Sequence, residues 1–473
     1  MFLDDKVSRA KEIIVYGAGS VADLLYAYLS MNSQQKKIRA FAVTNTNGAP
    51  LEKHDIPVIS VTSARVKYPD ALLIIAVHEK TVAAVLKTAT ELGFKQYIIG
   101  EAKELRRNLY HELYKYPLEK NKIFMMNYHG GGYGCNPKYI AEQLIKKDID
   151  NELDIVWGVT GANHHFPERI RTVQIGTYDY YKELATSGIW IDNVRKTDEV
   201  EKREGQYYIQ TWHGAAPFKK VEGDLEGRAS EAIIEMGKRD SGMVDLFISG
   251  SEFYSKLYRD AFWYSGEILE SGLPRQDVFW NGSNVIRKVR NNMNISDNKL
   301  IVLYAPTFRD DGNTDYYNLD LCSVKEAIRE RFGKECVVCV SKHPLNNHID
   351  YAMDKTEYID VSIYDDFEEI LATTDVLITD YSGCIYDYSF SGNPAFLYQP
   401  DLQQMKERRD FYVAPDKMPY PSACDMNGLT DIILNFDECD YANKLSQFMS
   451  EFGNYDDGKA SERVCERIYS IIK

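Results

Sequence analysis

Short apolar runs alternate with amphipathic helical patterns along almost the whole chain. The runs end at Gly, Pro or polar residues, which predicts buried strands, and the segments between them have the periodicity of crossover helices. The pattern therefore indicates an α/β protein built mainly from parallel sheets. A chain of 473 residues is too long for one hydrophobic core, so several domains are expected.

The apolar runs fall into three blocks, and each block has the pattern of a Rossmann-like unit. We predict a small N-terminal domain at 1–115, a second domain at 116–290, and a third at 291–473 that ends in a helix at 440–473. The segments 101–122 and 281–298 are predicted to connect these domains. The predicted strands are 12–16, 71–77, 123–126, 155–158, 208–210, 246–249, 300–304, 337–340 and 376–378.

Charge narrows the range of partners. The chain has 71 acidic and 56 basic side chains and a net charge of −15, which argues against nucleic acid as the main partner. Its first residues lack the basic start and apolar centre of a signal peptide, so we predict a cytoplasmic location. Two small basic clusters, at 219–220 and 287–290, leave peripheral contact with the inner face of a membrane open.

Polar side chains follow three strands of the third block, at the point where each strand ends. Because the carboxyl ends of parallel strands lie along one edge of a sheet, these side chains are expected to meet at a ligand site. Arginine can bind two phosphate oxygens, histidine can donate a hydrogen bond or a proton, and a helix start attracts anions. We therefore predict that this block binds a diphosphate. The predicted contacts are Thr307, Arg309, His343, Thr379, Asp380, Ser382 and Gly383. His343 is also predicted to be catalytic, because it can donate a proton to a phosphate oxygen.

Simpler roles for these residues stay open. Arg309 could pair with Asp310 or Asp311 on the surface, and His343 could be an ordinary loop histidine. Ser382 could cap the helix that follows, which is compatible with phosphate binding.

The second block contains a candidate catalytic base. His213 follows the predicted strand 208–210, and Gly214 lets the backbone come close to a ligand. The usual pKa of histidine suits proton removal near neutral pH, although a core histidine remains the alternative. His129 is a weaker candidate, and the glycines at 130–132 indicate either a mobile loop over a cleft or a flexible turn.

Metal and dinucleotide sites have weaker signals. The histidines at 164–165 and the cysteines at 336 and 339 lack further ligands at metal spacing, so no metal site is predicted. The segment 17–22 matches G-x-G-x-x-A between a strand and a helix, but Asn45 stands where an acidic ribose ligand is expected. The motif therefore indicates either tight packing or a nucleotide site.

From about residue 121 to about residue 412, the chain resembles the CDP-glycerol glycerophosphotransferase family of teichoic-acid polymerases and primases. The resemblance rests on motifs in the family's order: Asn-Pro-x-Tyr at 136–139, Trp-His-Gly at 212–214 with Pro217 and Lys219-Lys220, Gly-x-Pro-Arg-x-Asp at 272–277, Ala-Pro-Thr-Phe-Arg-Asp at 305–310, His-Pro at 343–344 and Thr-Asp-Tyr-Ser at 379–382. The chain departs from the pattern in one extra residue before Pro217 and in Gly383, where the family often has a second serine.

The resemblance implies a glycosyltransferase-B architecture, in which two Rossmann-like domains face a cleft, here preceded by the small N-terminal Rossmann-like domain. It also implies transfer of glycerol phosphate or ribitol phosphate from a CDP-linked donor to a hydroxyl of a lipid-linked or polymeric acceptor, with release of CMP. A divalent cation such as Mg²⁺ stays optional. His213 falls on the family's proposed base, Arg309, His343 and Ser382 fall on its donor contacts, and Gly214, Lys219, Arg275 and His129 are candidates for the cleft and the acceptor side.

Two other functions remain compatible with the sequence. One is a glycosyltransferase of the same architecture that uses a nucleotide sugar. The other is a non-catalytic nucleotide-binding module of an envelope-polymer assembly, with the N-terminal unit as its docking or sensing part. The motifs favour transfer of a polyol phosphate, and the oligomeric state stays open.

Overall fold

The computed structural model describes residues 2–161, 164–214, 219–309, 313–343, 353–408 and 410–473. Within these ranges, strands and helices alternate as the sequence pattern predicts, and the strands form three sheets that follow one another along the chain. No helix in the described ranges is both long and apolar enough to cross a membrane.

The N-terminal sheet has the strand order β3-β4-β2-β1-β5-β6 and is parallel except between β3 and β4. Its strands are β1 (Ile13–Tyr16), β2 (Ile38–Val43), β3 (Glu52–Lys53), β4 (Ile56–Ser60), β5 (Leu72–Ile75) and β6 (Tyr97–Ile99). The helices of this part are α1 (Phe2–Arg9), α2 (Ser20–Met31), α3 (Val61–Lys67), α4 (Glu79–Glu91) and α5 (Ala102–Glu112). The central strands β1 and β5 are buried throughout, so each forms a continuous apolar run in the sequence.

The glycine motif of this sheet is explained in part by close packing. A Cβ atom on Gly17 would lie 2.2 Å from the carbonyl oxygen of Ala76, and the φ angle of Gly17 is +139°. Only glycine fits there, which supports tight packing at this position. Gly19 has no atom within 4 Å of the corresponding point, so packing does not explain the second glycine.

The second sheet has seven parallel strands in the order β13-β12-β11-β10-β7-β8-β9. They are β7 (Glu119–Met126), β8 (Asp154–Val159), β9 (Ile170–Gln174), β10 (Ser187–Asp192), β11 (Tyr207–Gln210), β12 (Leu246–Ser249) and β13 (Glu267–Glu270). Its helices are α6 (Cys135–Lys147), α7 (Tyr178–Thr186), α8 (Glu231–Met243), α9 (Glu252–Asp260), α10 (Val278–Asn281) and α11 (Ser283–Asn292).

The third sheet has six parallel strands in the order β16-β15-β14-β17-β18-β19. They are β14 (Leu300–Ala305), β15 (Cys336–Val340), β16 (Tyr358–Asp360), β17 (Val376–Thr379), β18 (Ala395–Tyr398) and β19 (Ser422–Ala423). Its helices are α12 (Leu321–Phe332), α13 (Phe367–Thr373), α14 (Cys384–Ser389), α15 (Leu402–Arg408), α16 (Met426–Leu434), α17 (Glu438–Glu451) and α18 (Ala460–Ile472).

The structure corrects several predicted elements. The segment 101–122 is helical only as far as α5 and a 3₁₀ turn at 113–115, and its end belongs to β7. The polar segment 281–298 is largely α11, and the predicted last helix at 440–473 is two helices, α17 and α18. The strands β9, β13, β16 and β19 are short or polar and lack the apolar run that marks a strand in a sequence, whereas the buried strands β10 and β18 contain such runs and are absent from the predicted set.

The last helix lies against the second domain. The backbone N–H groups of Ala460 and Ser461 donate to the Asp277 carboxylate at 2.9 and 2.8 Å, and Arg467 pairs with Glu267 at 2.7 Å. The chain thus returns across the boundary that it crossed after α11. The domain limits at 115/116 and 290/291 stay predictions.

Candidate active site

The topological switch of the second sheet lies between β7 and β10, where the strand order reverses. The turns after these strands carry Asn127 and Asn193. The Asn193 side-chain amide donates to Asn127 Oδ1 at 2.7 Å, and its Oδ1 accepts the N–H of Tyr128 at 2.9 Å. These bonds join the two strand ends at the place where open α/β sheets bind ligands.

His213 follows β11 and reaches this switch point. Its Nδ1 lies 2.7 Å from the carbonyl oxygen of Asn193, which can only accept, so Nδ1 carries the proton and Nε2 keeps its lone pair. Burial lowers the pKa of His213 to about 4, and the nearby charge of Arg275 also lowers it, while the bond to Asn193 acts in the opposite direction. His213 is therefore a neutral base at pH 7.

Backbone strain is concentrated around His213. Tyr128, His129 and Trp212 have φ angles of +42°, +55° and +54°, in the left-handed region that bulky residues avoid. Asn136 Nδ2 donates a hydrogen bond to the carbonyl oxygen of Trp212 at 3.1 Å. The ring centroids of Trp212 and His213 lie 4.4 Å apart. Strain of this kind persists only where the surroundings fix it, which is common at active sites.

The glycine run at 130–132 forms a packed turn. A Cβ atom on Gly130 would lie 2.8 Å from the backbone nitrogen of Thr160, and one on Gly132 would lie 2.8 Å from Oδ1 of Asp365. His164 Nδ1 also lies 2.8 Å from this Asp365 oxygen. Because Asp365 comes from the third domain, the run is enclosed between domains, which fits a turn better than a mobile loop. Among the described residues, no group of three His, Cys, Asp or Glu side chains could hold a metal ion.

Gly214 has no room for a side chain. A Cβ atom there would lie 2.6 Å from the hydroxyl of Tyr254, whose side chain is buried. We expect Gly214→Ala to lower the free energy of unfolding by about 1–3 kcal/mol and to displace His213. Urea denaturation and a turnover assay measure the two effects. Gly242→Ala is the matched control, because its Cβ position is empty, and equal behaviour of the two variants would contradict the prediction.

The topological switch of the third sheet lies between β14 and β17 and holds a buried charge network. The Asp380 carboxylate accepts hydrogen bonds from the N–H and the hydroxyl of Thr307 at 2.9 and 2.6 Å. The Arg309 guanidinium lies 2.9 Å from Asp380 and binds both oxygens of Asp401 at 2.7 and 3.0 Å. The hydroxyl of Tyr381 also donates to Asp401 at 3.1 Å. The network ties together the ends of three neighbouring strands.

Several of the predicted phosphate contacts have bonding partners inside the protein. Arg309 is 4% exposed, and its guanidinium is directed at two carboxylates and at the carbonyl of Thr307. Thr379 is buried and donates to the carbonyl of Ala305 at 2.6 Å. Asp380 is an acceptor already bound on both oxygens. Two buried carboxylates require a cation and N–H donors inside the protein, so this arrangement supports a positioning role for these residues. Asp310 and Asp311, the alternative surface partners of Arg309, lie outside the described residues.

The open part of this edge carries Ser382, Gly383 and His343. Ser382 and Gly383 are half-exposed at the start of α14, where Ser382 Oγ accepts the N–H of Cys384 at 3.4 Å. His343 is exposed, with its ring 5.8 Å from that of Phe308. These groups remain accessible to a ligand at the carboxyl end of the sheet.

Lys219 lies beside the third domain. Its backbone forms a bridge with Phe411, and residues 215–218, which include Pro217, lie outside the described residues. The pKa of His343 is lowered, first by desolvation and then by the positive charge of Lys219, while Asp380 acts against this shift. Lys219 was predicted on the acceptor side, and the structure brings it to the edge that carries His343.

Arg275, predicted to line the cleft, is buried at the contact between the second and third domains. It is 2% exposed, and it pairs with both oxygens of Asp387 on α14 at 2.9 Å. A second buried contact joins Lys138 to Asp366 and, at 2.6 Å, to Glu369. His129, by contrast, is exposed. It lies close enough to His213 for its charge to lower the pKa of His213.

Sequence reasoning missed Asn193, Asp387 and Asp401. A signal existed for two of them, because Asn193 directly follows the end of β10 and Asp401 follows β18, in the same pattern as the residues that were singled out. Asp387 was visible only as an acidic residue inside an otherwise apolar helix.

The fold and these two strand edges define an architecture of the glycosyltransferase-B type. Solved structures of the wall teichoic acid polymerase TagF superpose with a TM-score of 0.70 and 26% identity, covering 84% of this chain and 99% of that one. The predicted fold class, two Rossmann-like domains preceded by a small N-terminal Rossmann-like domain, is therefore confirmed.

The family model for CDP-glycerol:poly(glycerophosphate) glycerophosphotransferase matches residues 108–470. The teichoic acid poly(glycerol phosphate) polymerase of Staphylococcus epidermidis is 30% identical over 394 residues, 80% of this chain and 54% of that protein. The teichoic acid glycerol-phosphate transferase of Staphylococcus aureus is 28% identical over 372 residues, 74% of this chain and 93% of that protein. This chain belongs to the CDP-glycerol:poly(glycerophosphate) glycerophosphotransferase family, as its motifs indicated. It spans about half the length of the S. epidermidis polymerase.

Proposed function

We propose that this protein transfers a polyol phosphate, glycerol phosphate in the first place, from a CDP-linked donor to a hydroxyl of a lipid-linked or polymeric envelope acceptor, with release of CMP. The observation that carries the proposal is the state of His213. Its Nδ1 is fixed on Asn193, its Nε2 is free of a proton, and it stands at the switch point of the second sheet, where Arg275 links it to α14 of the third domain. A neutral histidine in that position suits an alcohol nucleophile.

In this mechanism, the acceptor hydroxyl attacks the phosphorus that carries the polyol. The new O–P bond forms as the bond from this phosphorus to the oxygen of CMP breaks, and CMP leaves with the bonding electron pair. Nε2 of His213 takes the proton of the hydroxyl. The bond from Nδ1 to Asn193 holds the ring in the required tautomer and stabilises the imidazolium that forms.

On the donor side, negative charge grows on the transferred phosphate and on the departing CMP. The N–H groups and the hydroxyl of the half-exposed residues Ser382 and Gly383 can donate hydrogen bonds to this charge, and His343 with Lys219 adds donors at the same edge. Arg309 acts indirectly, because it fixes Asp380 and therefore the turn that contains Ser382.

The first experiment measures CMP release from CDP-glycerol and from CDP-ribitol, each with a polyol-phosphate-primed lipid acceptor, with and without Mg²⁺. Release from one donor that depends on the acceptor supports the proposal and identifies the polyol. Release of nucleotide from UDP-sugars instead would establish the nucleotide-sugar alternative. Tight binding of a CDP-polyol without CMP release, with several acceptors and folded protein, would establish the non-catalytic alternative.

The pH dependence of turnover tests the protonation state of His213. Because the pKa in the folded protein is about 4, below the usual 6.5, the base stays neutral until the pH falls towards 4. We expect kcat/KM to stay level from about pH 8 down to about pH 5 and to fall below that. An acid limb centred near 6.5 would contradict the lowered pKa of His213.

The same shift in pKa makes the stability of the fold depend on pH. The unfolded chain protonates His213 more readily than the folded protein does, so the contribution of His213 to stability falls as the pH drops from 6.5 to 4.

A further inference from the structure

One buried guanidinium connects the proposed base to the opposite domain. Arg275 donates from Nη1 to the carbonyl oxygen of His213 at 2.6 Å, and its Nε and Nη2 hold the Asp387 carboxylate at 2.9–3.1 Å. Its own backbone N–H donates to Oδ1 of Asn136 at 3.1 Å, and Asn136 also holds the carbonyl of Trp212. The backbone that carries His213 is therefore fixed by a side chain that is itself fixed by the third domain.

Asp387 lies on the helix that directly follows the proposed donor contacts. It lies on α14, about one helical turn after Ser382 and Gly383. It is 4% exposed and also accepts the side-chain amide of Gln276 at 3.0 Å. A shift of α14 would therefore move the donor edge and the carboxylate together.

The bonds of Arg275 need the shape of its side chain. A planar fork can bind two oxygens of one carboxylate and a third acceptor at once, whereas an ammonium group cannot hold all three in this geometry. Mere adhesion between domains does not require this, because buried ion pairs are often replaced by apolar side chains without loss of stability.

We propose that Arg275 and Asp387 are positioning residues, which align His213 with the donor edge when the second and third domains are packed together. The inference rests on the proposed function, since it takes His213 as the base. Opening of the domains would separate Arg275 from Asp387 and release the backbone of His213. The protein would thus activate its acceptor only in the packed arrangement.

The test compares Arg275→Lys in the wild-type protein and in a His213→Ala background. A small displacement of a reacting group can cost on the order of 10²-fold in rate, so we expect Arg275→Lys to lower kcat by about that factor while KM for the donor changes little. In the His213→Ala background, the same change should have almost no further effect on residual CMP release, because it acts through His213.

Two controls keep this test decisive. Arg290→Lys changes an arginine that also pairs with one carboxylate, Asp375, and with backbone carbonyls, but away from His213, and it should leave kcat within about twofold. Asp387→Asn removes the charge and keeps the volume, so it replaces Arg275→Lys if that variant fails to fold. An unchanged kcat, or an equal loss with and without His213, would overturn the proposal. Normal turnover of His213→Ala alone would instead overturn the assignment of the base.

Discussion

Replacing His213 by alanine is expected to lower turnover on the order of 10²–10⁴-fold, the usual contribution of a general base. The structure fixes this side chain as a neutral base at the switch point between β7 and β10, and its loss leaves the acceptor proton without an acceptor. Donor affinity should change little, because the proposed donor contacts lie on the third domain. Steady-state CMP release and a binding titration with the donor separate these two quantities.

A second substitution and a control sharpen this result. His213→Gln keeps a donor for the Asn193 carbonyl but offers no base, so it should be as inactive as the alanine variant. His78→Ala removes an exposed histidine of the N-terminal domain and should leave turnover unchanged. Near-normal turnover of His213→Gln would show that His213 only holds the turn in place.

Replacing Arg309 by alanine is expected to cost about 3–5 kcal/mol of unfolding free energy, because it leaves Asp380 and Asp401 buried without their cation. The 379–383 turn then loses the bonds that hold it, so turnover should fall as well. Urea denaturation measures the first effect and CMP release the second. Both losses arise from one network, and therefore they should appear together.

The matched control is Arg329→Ala, in the same domain. Arg329 is 60% exposed and lies 3.8 Å from Glu335, so its pair contributes little and the variant should resemble the wild type. An Arg309→Ala protein that keeps its stability but loses donor affinity would contradict the positioning role. That outcome would return Arg309 to the direct phosphate contact that its sequence motif predicts.

The chemistry of the strand ends could be predicted from the sequence because it is local. An apolar run followed by Trp-His-Gly or Thr-Asp-Tyr-Ser marks a buried strand and the edge where its next residues emerge, and the structure brings His213 and Ser382 to such edges. The same logic could have been extended to Asn193 and Asp401, which follow β10 and β18.

The pairing of buried charges could not be predicted in this way. Arg275 and Asp387 are 112 positions apart, and Lys138 and Asp366 are 228 apart. A sequence shows that an arginine is present, but whether it meets a phosphate or a carboxylate depends on which strands become neighbours. For this reason the sequence predicts ligand contacts for Arg309 and a cleft position for Arg275, whereas the structure gives both of them carboxylate partners inside the protein.

The return of α18 to the second domain affects how the chain is made. The N–H groups that bind the Asp277 carboxylate come from residues 460 and 461, more than 180 positions later. On a ribosome, the second domain emerges long before these donors exist, so the Asp277 carboxylate lacks both hydrogen bonds at that stage. The last packing step of the second domain therefore waits until residues 460 and 461 have been synthesised, so the two large domains reach their final form together.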